Sequence, residues 1–98
     1  MKKENLVPIV DIYRYYNAEP EFISLLKEYE LIEITTVEET EFIHHEQLQR
    51  LEKLMHLHYD LDINLEGIDV ISHLLQRIES MQSELIALKN KLLMFKDV

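Results

Sequence analysis

The chain has 98 residues, 47% apolar and 30% charged, and this length and composition fit one globular domain. One glycine and two prolines are too few turn residues for an all-β fold, and the absence of cysteine excludes disulfides, cysteine-type zinc sites and thiol nucleophiles. A net charge of −9 opposes binding to nucleic acid, where Lys and Arg neutralise phosphates, and favours binding to basic protein surfaces.

The N-terminal third predicts a short strand followed by a helix-turn-helix pair. Residues 5–7 are expected to form a brief strand that ends at Pro8, a residue suited to the first position of a helix. The apolar face of that first helix consists of Ile9, Ile12, Tyr13 and Tyr16. After a tight turn at residues 17–19, Pro20 is expected to start the second helix. Its apolar face consists of Phe22, Ile23, Leu26 and Tyr29.

After Glu30 the apolar residues no longer follow helical spacing, and the change predicts a small β-hairpin, the wing. Residues 31–36 and 41–43 are rich in β-branched side chains, and residues 37–40 between them form an acidic turn. A third helix is expected to start near His44 or His45. If His44 is its cap, Gln47 stands at the third helical position, and Ile43 and Leu48 fit a hydrophobic staple.

The third helix leads into a junction and a long last helix. Its apolar residues are Leu48, Leu51, Met55 and Tyr59, widened by Leu54, Leu57 and Leu61. Residues 60–63 turn the chain, and Asn64 is a good N-cap for a helix that runs to Lys96. Gly67 in the first turn is a poor helix former, which indicates a close approach of other atoms there.

Apolar residues recur along the last helix with steps that alternate between four and three, as in a heptad repeat. This seam consists of Ile71, Leu74, Ile78, Met81, Leu85, Leu88, Leu92 and Phe95. The helix would be roughly 48 Å long, more than a chain of this size can cover by folding back. The seam therefore predicts a partner helix, most simply that of a second copy. The alternative is a long helix that packs on its own domain.

The order of these elements, a winged helix-turn-helix followed by a long dimerisation helix, resembles the MerR superfamily of transcription regulators. Within it, the run L-H-Y-D-L-D-I-N-L-E-G-I at residues 57–68 is similar to the signature of the chaperone-modulator branch (CbpM-type). Leu31-Ile32-Glu33 and Phe42-Ile43 also fit that branch. Members often have glycine where this chain has Glu30, so the exit turn of the second helix is expected to differ.

The resemblance implies an all-α fold with a small β-hairpin wing, with residues 1–63 as the winged helix-turn-helix body and residues 64–98 as the coiled-coil dimerisation helix. It further implies an antiparallel, cytoplasmic homodimer. Such a protein is a non-enzymatic modulator that binds the J-domain of a DnaJ-like co-chaperone of the curved-DNA-binding type and inhibits its action with Hsp70. A MerR-like DNA-binding transcription regulator and a coiled-coil adaptor with another protein partner are the alternatives.

The charges argue against DNA binding. Lys27 is the only base on the predicted second helix, and Glu38, Glu39 and Glu41 surround a wing turn without any base. The same charges suit a basic partner, such as the helix that a J-domain presents to Hsp70.

The expected partner-binding residues lie at the junction and on the wing: His58, Asp60, Asp62, Glu66, Glu38 and Glu39. An ordinary solvated surface acid is the alternative for each carboxylate. Tyr15, Tyr16 and Tyr59 are candidate apolar anchors, although tyrosine at helical spacing is more typical of a core.

The sequence gives no indication of catalysis, of a cofactor or of a small-molecule substrate, because it lacks a phosphate-binding loop and a serine with a plausible base. A metal site is not expected either, since the adjacent His44 and His45 diverge on a helix and His56 and His58 point to different faces. Without a signal-peptide run or a membrane-length apolar run, the chain is expected to be cytoplasmic.

Overall fold

The computed structural model describes residues 5–96. Its elements, in chain order, are β1 (Leu6–Pro8), α1 (Ile9–Tyr16), α2 (Pro20–Glu28), β2 (Ile34–Val37), β3 (Thr40–His44), a 3₁₀ turn (His45–Gln47), α3 (Leu48–Met55), a π-helical turn (His56–Asp60) and α4 (Leu65–Lys96). The predicted fold class, mostly helical with a small wing and a long last helix, is confirmed.

The wing belongs to a three-stranded antiparallel sheet with the order β1-β3-β2. β3 lies in the centre, so that Ile43 is paired with Val7 on one side and with Ile34 on the other. The brief first strand is therefore present and extends to Pro8, which ends it and precedes α1 instead of starting the helix. Proline is tolerated there because β1 is an edge strand.

The hairpin turn between β2 and β3 has only two residues, since Val37 pairs directly with Thr40. Both turn residues have positive φ, 50° at Glu38 and 66° at Glu39. These angles define a type I′ turn, which matches the twist of the strands and usually holds Asn-Gly. Here two glutamates with like charge occupy a conformation that disfavours side chains with a Cβ atom.

The exit of α2 is a second place where a residue other than glycine has a positive φ. Glu30 has a φ of 59°, its N–H donates to the Lys27 carbonyl at 3.0 Å, and the Leu31 N–H donates to the Leu26 carbonyl at 2.9 Å. This pair of bonds is the Schellman motif, which favours glycine at that position. The expectation of a different exit turn is wrong, because Glu30 adopts the left-handed conformation itself.

The core forms where α1, α2, α3 and the sheet meet. Its most deeply buried side chains are Ile12, Ile23, Leu26, Ile43, Leu51 and Ile68. Leu65 and Ile68 bring the first turns of α4 into the same core. Three predicted face residues are exposed instead, Tyr29 to 37%, Tyr59 to 41% and Leu61 to 54%. All three lie beyond the last regular α-helical turn, where the 3.6-residue period no longer sets the direction of the side chain.

The side-chain cap considered at His44 does not form at the start of α3. His44 precedes a 3₁₀ turn and makes no side-chain capping bond. Gln47 instead binds the backbone of Glu33 twice: its Oε1 accepts from the Glu33 N–H at 2.8 Å, and its Nε2 donates to the Glu33 carbonyl at 3.0 Å. Gln47 thus ties the entrance of β2 to α3.

α4 extends well beyond the body. The described residues span 58 × 36 × 21 Å and have a radius of gyration of 17.8 Å, against about 13 Å for a compact domain of this size. No helix among residues 5–96 is long and apolar enough to cross a membrane.

Candidate functional site

The junction between α3 and α4 is a compact structure built by its own side chains. The Leu61 N–H donates to the His56 carbonyl at 3.2 Å and the Ile63 N–H to the Leu57 carbonyl at 3.0 Å, which closes the π-helical turn. Asp62 follows with a φ of 55°. A chain reversal at residues 60–63 was predicted, but the π-helical form of the turn before it was not.

Asn64 and Gly67 form the predicted start of α4. The Asn64 Oδ1 accepts a hydrogen bond from the Gly67 N–H at 2.9 Å, so the N-cap is confirmed. A Cβ atom on Gly67 would lie 2.8 Å from the Ile63 Cγ2 and 3.1 Å from the Asn64 Oδ1. The close approach inferred from this glycine is therefore made by the chain's own junction.

Aromatic contacts hold the junction against α2. The half-buried His58 ring stacks on Phe22 with a centroid distance of 4.2 Å, and its Nδ1 lies 3.2 Å from the Ile63 carbonyl oxygen. Tyr59 meets the same Phe22 edge-on at 5.4 Å, and its hydroxyl accepts from the Glu19 N–H at 3.0 Å. His58 is thus engaged within the body, whereas Tyr59 is 41% exposed.

The predicted acidic contacts are all exposed, but they form two groups. Asp60, Asp62 and Glu66 lie together at the junction, and Glu38 and Glu39 lie at the tip of the wing. Within residues 5–96, no hydrogen bond or ion pair connects the two groups. Asp60 also has a partner of its own, the His56 Nδ1 at 2.7 Å.

The surface of the helix-turn-helix and wing is strongly acidic. Residues 9–44 contain nine Asp and Glu residues and only two bases, Arg14 and Lys27. The Lys27 Nζ lies 3.7 Å from a carboxylate oxygen of Glu41 on β3. The one base of α2 therefore lies beside an acid, at the place where a DNA-reading protein needs positive charge.

A groove of about 730 Å³ lies between the turn of the helix-turn-helix and the end of α3. The Tyr16 hydroxyl donates to a carboxylate oxygen of Glu52 across it, at 2.8 Å. Glu52 and His56 were not among the site residues predicted from the sequence. The i, i+4 spacing of His56 and Asp60 was a usable signal, whereas Tyr16 and Glu52 are 36 residues apart and meet only through the fold.

The Tyr16 hydroxyl remains protonated over the physiological range. Burial, together with the hydrogen bond to Glu52 and the charge of that carboxylate, raises the pKa of Tyr16 to about 12. Burial and the negative charge of Glu41 also raise the pKa of Tyr13. In contrast, Tyr15 points away from the body and is 82% exposed.

The seam of α4 is uncovered in the single chain. Ile71 is half-buried near the body, whereas the remaining seven side chains are 49% to 77% exposed. These are Leu74, Ile78, Met81, Leu85, Leu88, Leu92 and Phe95. Such a continuous exposed apolar stripe is typical of an interaction surface. Within residues 5–96, no group of three or more His, Cys, Asp or Glu side chains could hold a metal ion.

Comparison with known proteins agrees with this architecture. The family model described as MerR HTH family regulatory protein matches residues 7–90, which covers the helix-turn-helix, the wing, the junction and most of α4. No curated protein and no solved structure gives a significant match. The chain belongs to the MerR helix-turn-helix family of regulatory proteins.

Proposed function

We propose that this chain is a non-enzymatic modulator that binds the J-domain of a DnaJ-like co-chaperone, of the curved-DNA-binding type, and inhibits its action with Hsp70 in the cytoplasm. The resemblance of the junction, residues 57–68, to the CbpM-type signature supplies the partner. The family supplies a regulatory fold. The single observation that carries the proposal is the acidic helix-turn-helix and wing, whose α2 base Lys27 is already paired with Glu41.

The acidic surface disfavours DNA and favours a basic protein partner. Affinity for DNA comes mostly from phosphate contacts by Lys and Arg, and a surface with nine acids against two bases repels phosphate. The same surface attracts a basic helix and accelerates its association. A modulator that covers the basic helix of a J-domain blocks the contact with Hsp70 by occlusion.

The proposed contact surface contains the exposed junction acids Asp60, Asp62 and Glu66, with Glu38 and Glu39 at the wing tip as further contacts. Each exposed ion pair stabilises a complex by about 0–1 kcal/mol. Several pairs, together with aromatic contact area, are therefore needed for a stable complex. His58 contributes by positioning the junction, since its ring is held between Phe22 and the Ile63 carbonyl.

We also propose that the chain acts as an antiparallel homodimer joined by the seam. Burying an apolar side chain of this size contributes about 1.5–3 kcal/mol, so seven exposed ones favour association strongly. Charge favours the antiparallel orientation. Residues 65–84 carry four acids and one base, whereas residues 85–96 carry three lysines and no acid. Antiparallel pairing places the acidic half of each α4 beside the basic half of the other.

The test is a calorimetric titration against the isolated J-domain of the co-chaperone from the same organism. Saturable binding that is lost in Asp60→Lys/Glu66→Lys, and kept in the control Glu79→Lys on α4, supports the proposal. If the wild-type dimer does not bind, the modulator function is wrong. If it binds and the double variant binds equally well, the function stands and the contact lies elsewhere, with Glu38 and Glu39 as the next positions to change.

DNA binding is the second candidate function, because the matching family is one of helix-turn-helix regulators. A salt titration with duplex DNA separates the two functions. If the chain binds DNA through phosphate contacts, the logarithm of the binding constant falls steeply and linearly with the logarithm of the salt concentration. We expect no such binding. A coiled-coil adaptor with another protein partner is the third candidate, and it is favoured only if neither the J-domain nor DNA binds.

A further inference from the structure

The groove beside the helix-turn-helix turn is lined by aromatic rings, carboxylates and one imidazole, that of His56. Tyr16 and Tyr59 supply aromatic rings, and Glu19, Glu52 and Asp60 supply carboxylates. Neither Lys nor Arg occurs among the lining residues. The groove is thus concave, partly aromatic and negatively charged.

These groups are held in place by contacts within the body. Tyr16 donates to Glu52 at 2.8 Å, Tyr59 accepts from the Glu19 N–H at 3.0 Å, and His56 lies 2.7 Å from Asp60. The contacts of Tyr16 with Glu52 and of His56 with Asp60 each occupy only one of the several lone pairs that a carboxylate offers. Both rings and two carboxylates are therefore fixed while their capacity to accept hydrogen bonds remains.

We propose that this groove binds an arginine side chain of a protein partner. A guanidinium is planar, stacks on aromatic faces, and presents five N–H donors that suit carboxylates. It matches the rings of Tyr16 and Tyr59 and the oxygens of Glu52 and Asp60 together. The inference rests on the proposed function only for the identity of the partner, a J-domain with a basic helix, and not for the chemistry of the ligand.

The ligand chemistry is tested by titrating the full chain with N-acetyl-arginine amide as the probe. Binding is detected from the backbone ¹⁵N chemical shifts of the chain. N-acetyl-citrulline amide is the control, because it has nearly the same shape without the charge. We expect saturable shift changes centred on residues 16–20 and 52–60 with the arginine probe alone. Equal binding of the citrulline probe, or shift changes centred elsewhere, would overturn the inference.

Two conservative variants test the carboxylates. Glu52→Gln and Asp60→Asn keep the size and a hydrogen-bonding oxygen, and we expect each to weaken binding of the arginine probe about fivefold. The matched control is Glu79→Gln, which removes one exposed charge from α4. An equal effect of all three variants would indicate general charge attraction and would overturn the groove as a site.

The same variants are then titrated with the J-domain. Weaker J-domain binding by Glu52→Gln and Asp60→Asn, but not by Glu79→Gln, supports the groove as the place where the partner's arginine binds. Unchanged J-domain binding overturns the groove as the partner site while the proposed function stands. If the wild type binds the arginine probe but not the J-domain, the proposed function is wrong and the ligand chemistry of the groove stands.

Discussion

At the scale of single residues, Glu30 shows how a departure from a preferred residue is accommodated. Its φ of 59° costs a residue with a Cβ atom about 1–2 kcal/mol. Glycine avoids this strain but loses about 0.5–1 kcal/mol through the greater freedom of the unfolded chain. The Schellman hydrogen bonds and buried Leu26 and Leu31 hold the turn in spite of the strain.

We expect Glu30→Gly to raise the free energy of unfolding by up to about 1 kcal/mol, because it removes the strain of the left-handed conformation. Urea unfolding followed by circular dichroism measures the change. The control is Glu28→Gly, two residues earlier inside α2, which should lower stability by about 1 kcal/mol. A destabilised Glu30→Gly variant would mean that the glutamate side chain stabilises the turn.

Tyr16 links stability to pH through its hydrogen bond with Glu52. Because the pKa of Tyr16 rises from 10.0 to about 12 in the folded state, the folded chain holds this proton more tightly than the unfolded chain does. The contribution to stability is fully present below pH 10 and is lost as the pH rises toward 12.

We therefore expect Tyr16→Phe to lower stability by about 1 kcal/mol at pH 8, where the hydrogen bond to the carboxylate is lost. The difference from wild type should shrink between pH 10 and 12. Urea unfolding across this range checks both statements. Tyr15→Phe, at an 82% exposed ring, is the control and should follow the wild type. A constant difference for Tyr16→Phe would contradict the linkage.

At the scale of elements, the wing turn combines strain with like charge. Glu38 and Glu39 both have positive φ in a type I′ turn, for which Asn-Gly is preferred. Strained positions that persist in a structure are often associated with function. The wing tip was proposed above as a partner contact, which gives this costly pair a role.

We expect Glu38→Asn/Glu39→Gly to stabilise the protein by about 1–2 kcal/mol, because both changes relieve the strain of the turn. Binding of the J-domain should weaken in the same variant. Glu38→Gln/Glu39→Gln removes the charges but keeps the strain, so it should weaken binding without the gain in stability. Thermal unfolding and calorimetry measure the two quantities. Unchanged binding in both variants would exclude the wing tip from the contact.

The elements also show how far the sequence could predict this fold. The faces of α1 and α2 and the seam of α4 follow from helical spacing, and Asn64 caps α4 as expected because capping depends on three neighbouring residues. The contacts of Gln47 with Glu33 and of Tyr16 with Glu52 were not predictable, since they join distant segments. For the candidate site, the junction acids were predicted from the sequence and stay a prediction as partner contacts, whereas the groove could be recognised only from the folded chain.

At the scale of the whole molecule, the seam is exposed in the single chain, and the proposed pairing of two copies would make association part of the stability. We expect Leu85→Glu/Leu88→Glu to give a monomer by sedimentation equilibrium, because four charges would be buried in each dimer. Ser80→Glu/Ser83→Glu, which lies outside the seam, is the matched control and should stay dimeric. A dimer that persists with Leu85→Glu/Leu88→Glu would place the interface elsewhere.

Continuity of α4 has a further consequence. The helix runs from Leu65 to Lys96 without a break, and its first turns are fixed in the core by Leu65 and Ile68. Once two copies pair, no flexible linker separates either body from the shared helices, so the two bodies face their surroundings at a set distance. A dimeric partner could then bind both bodies of the dimer at once. Its second contact would form at a high effective concentration only if its own two sites matched that spacing.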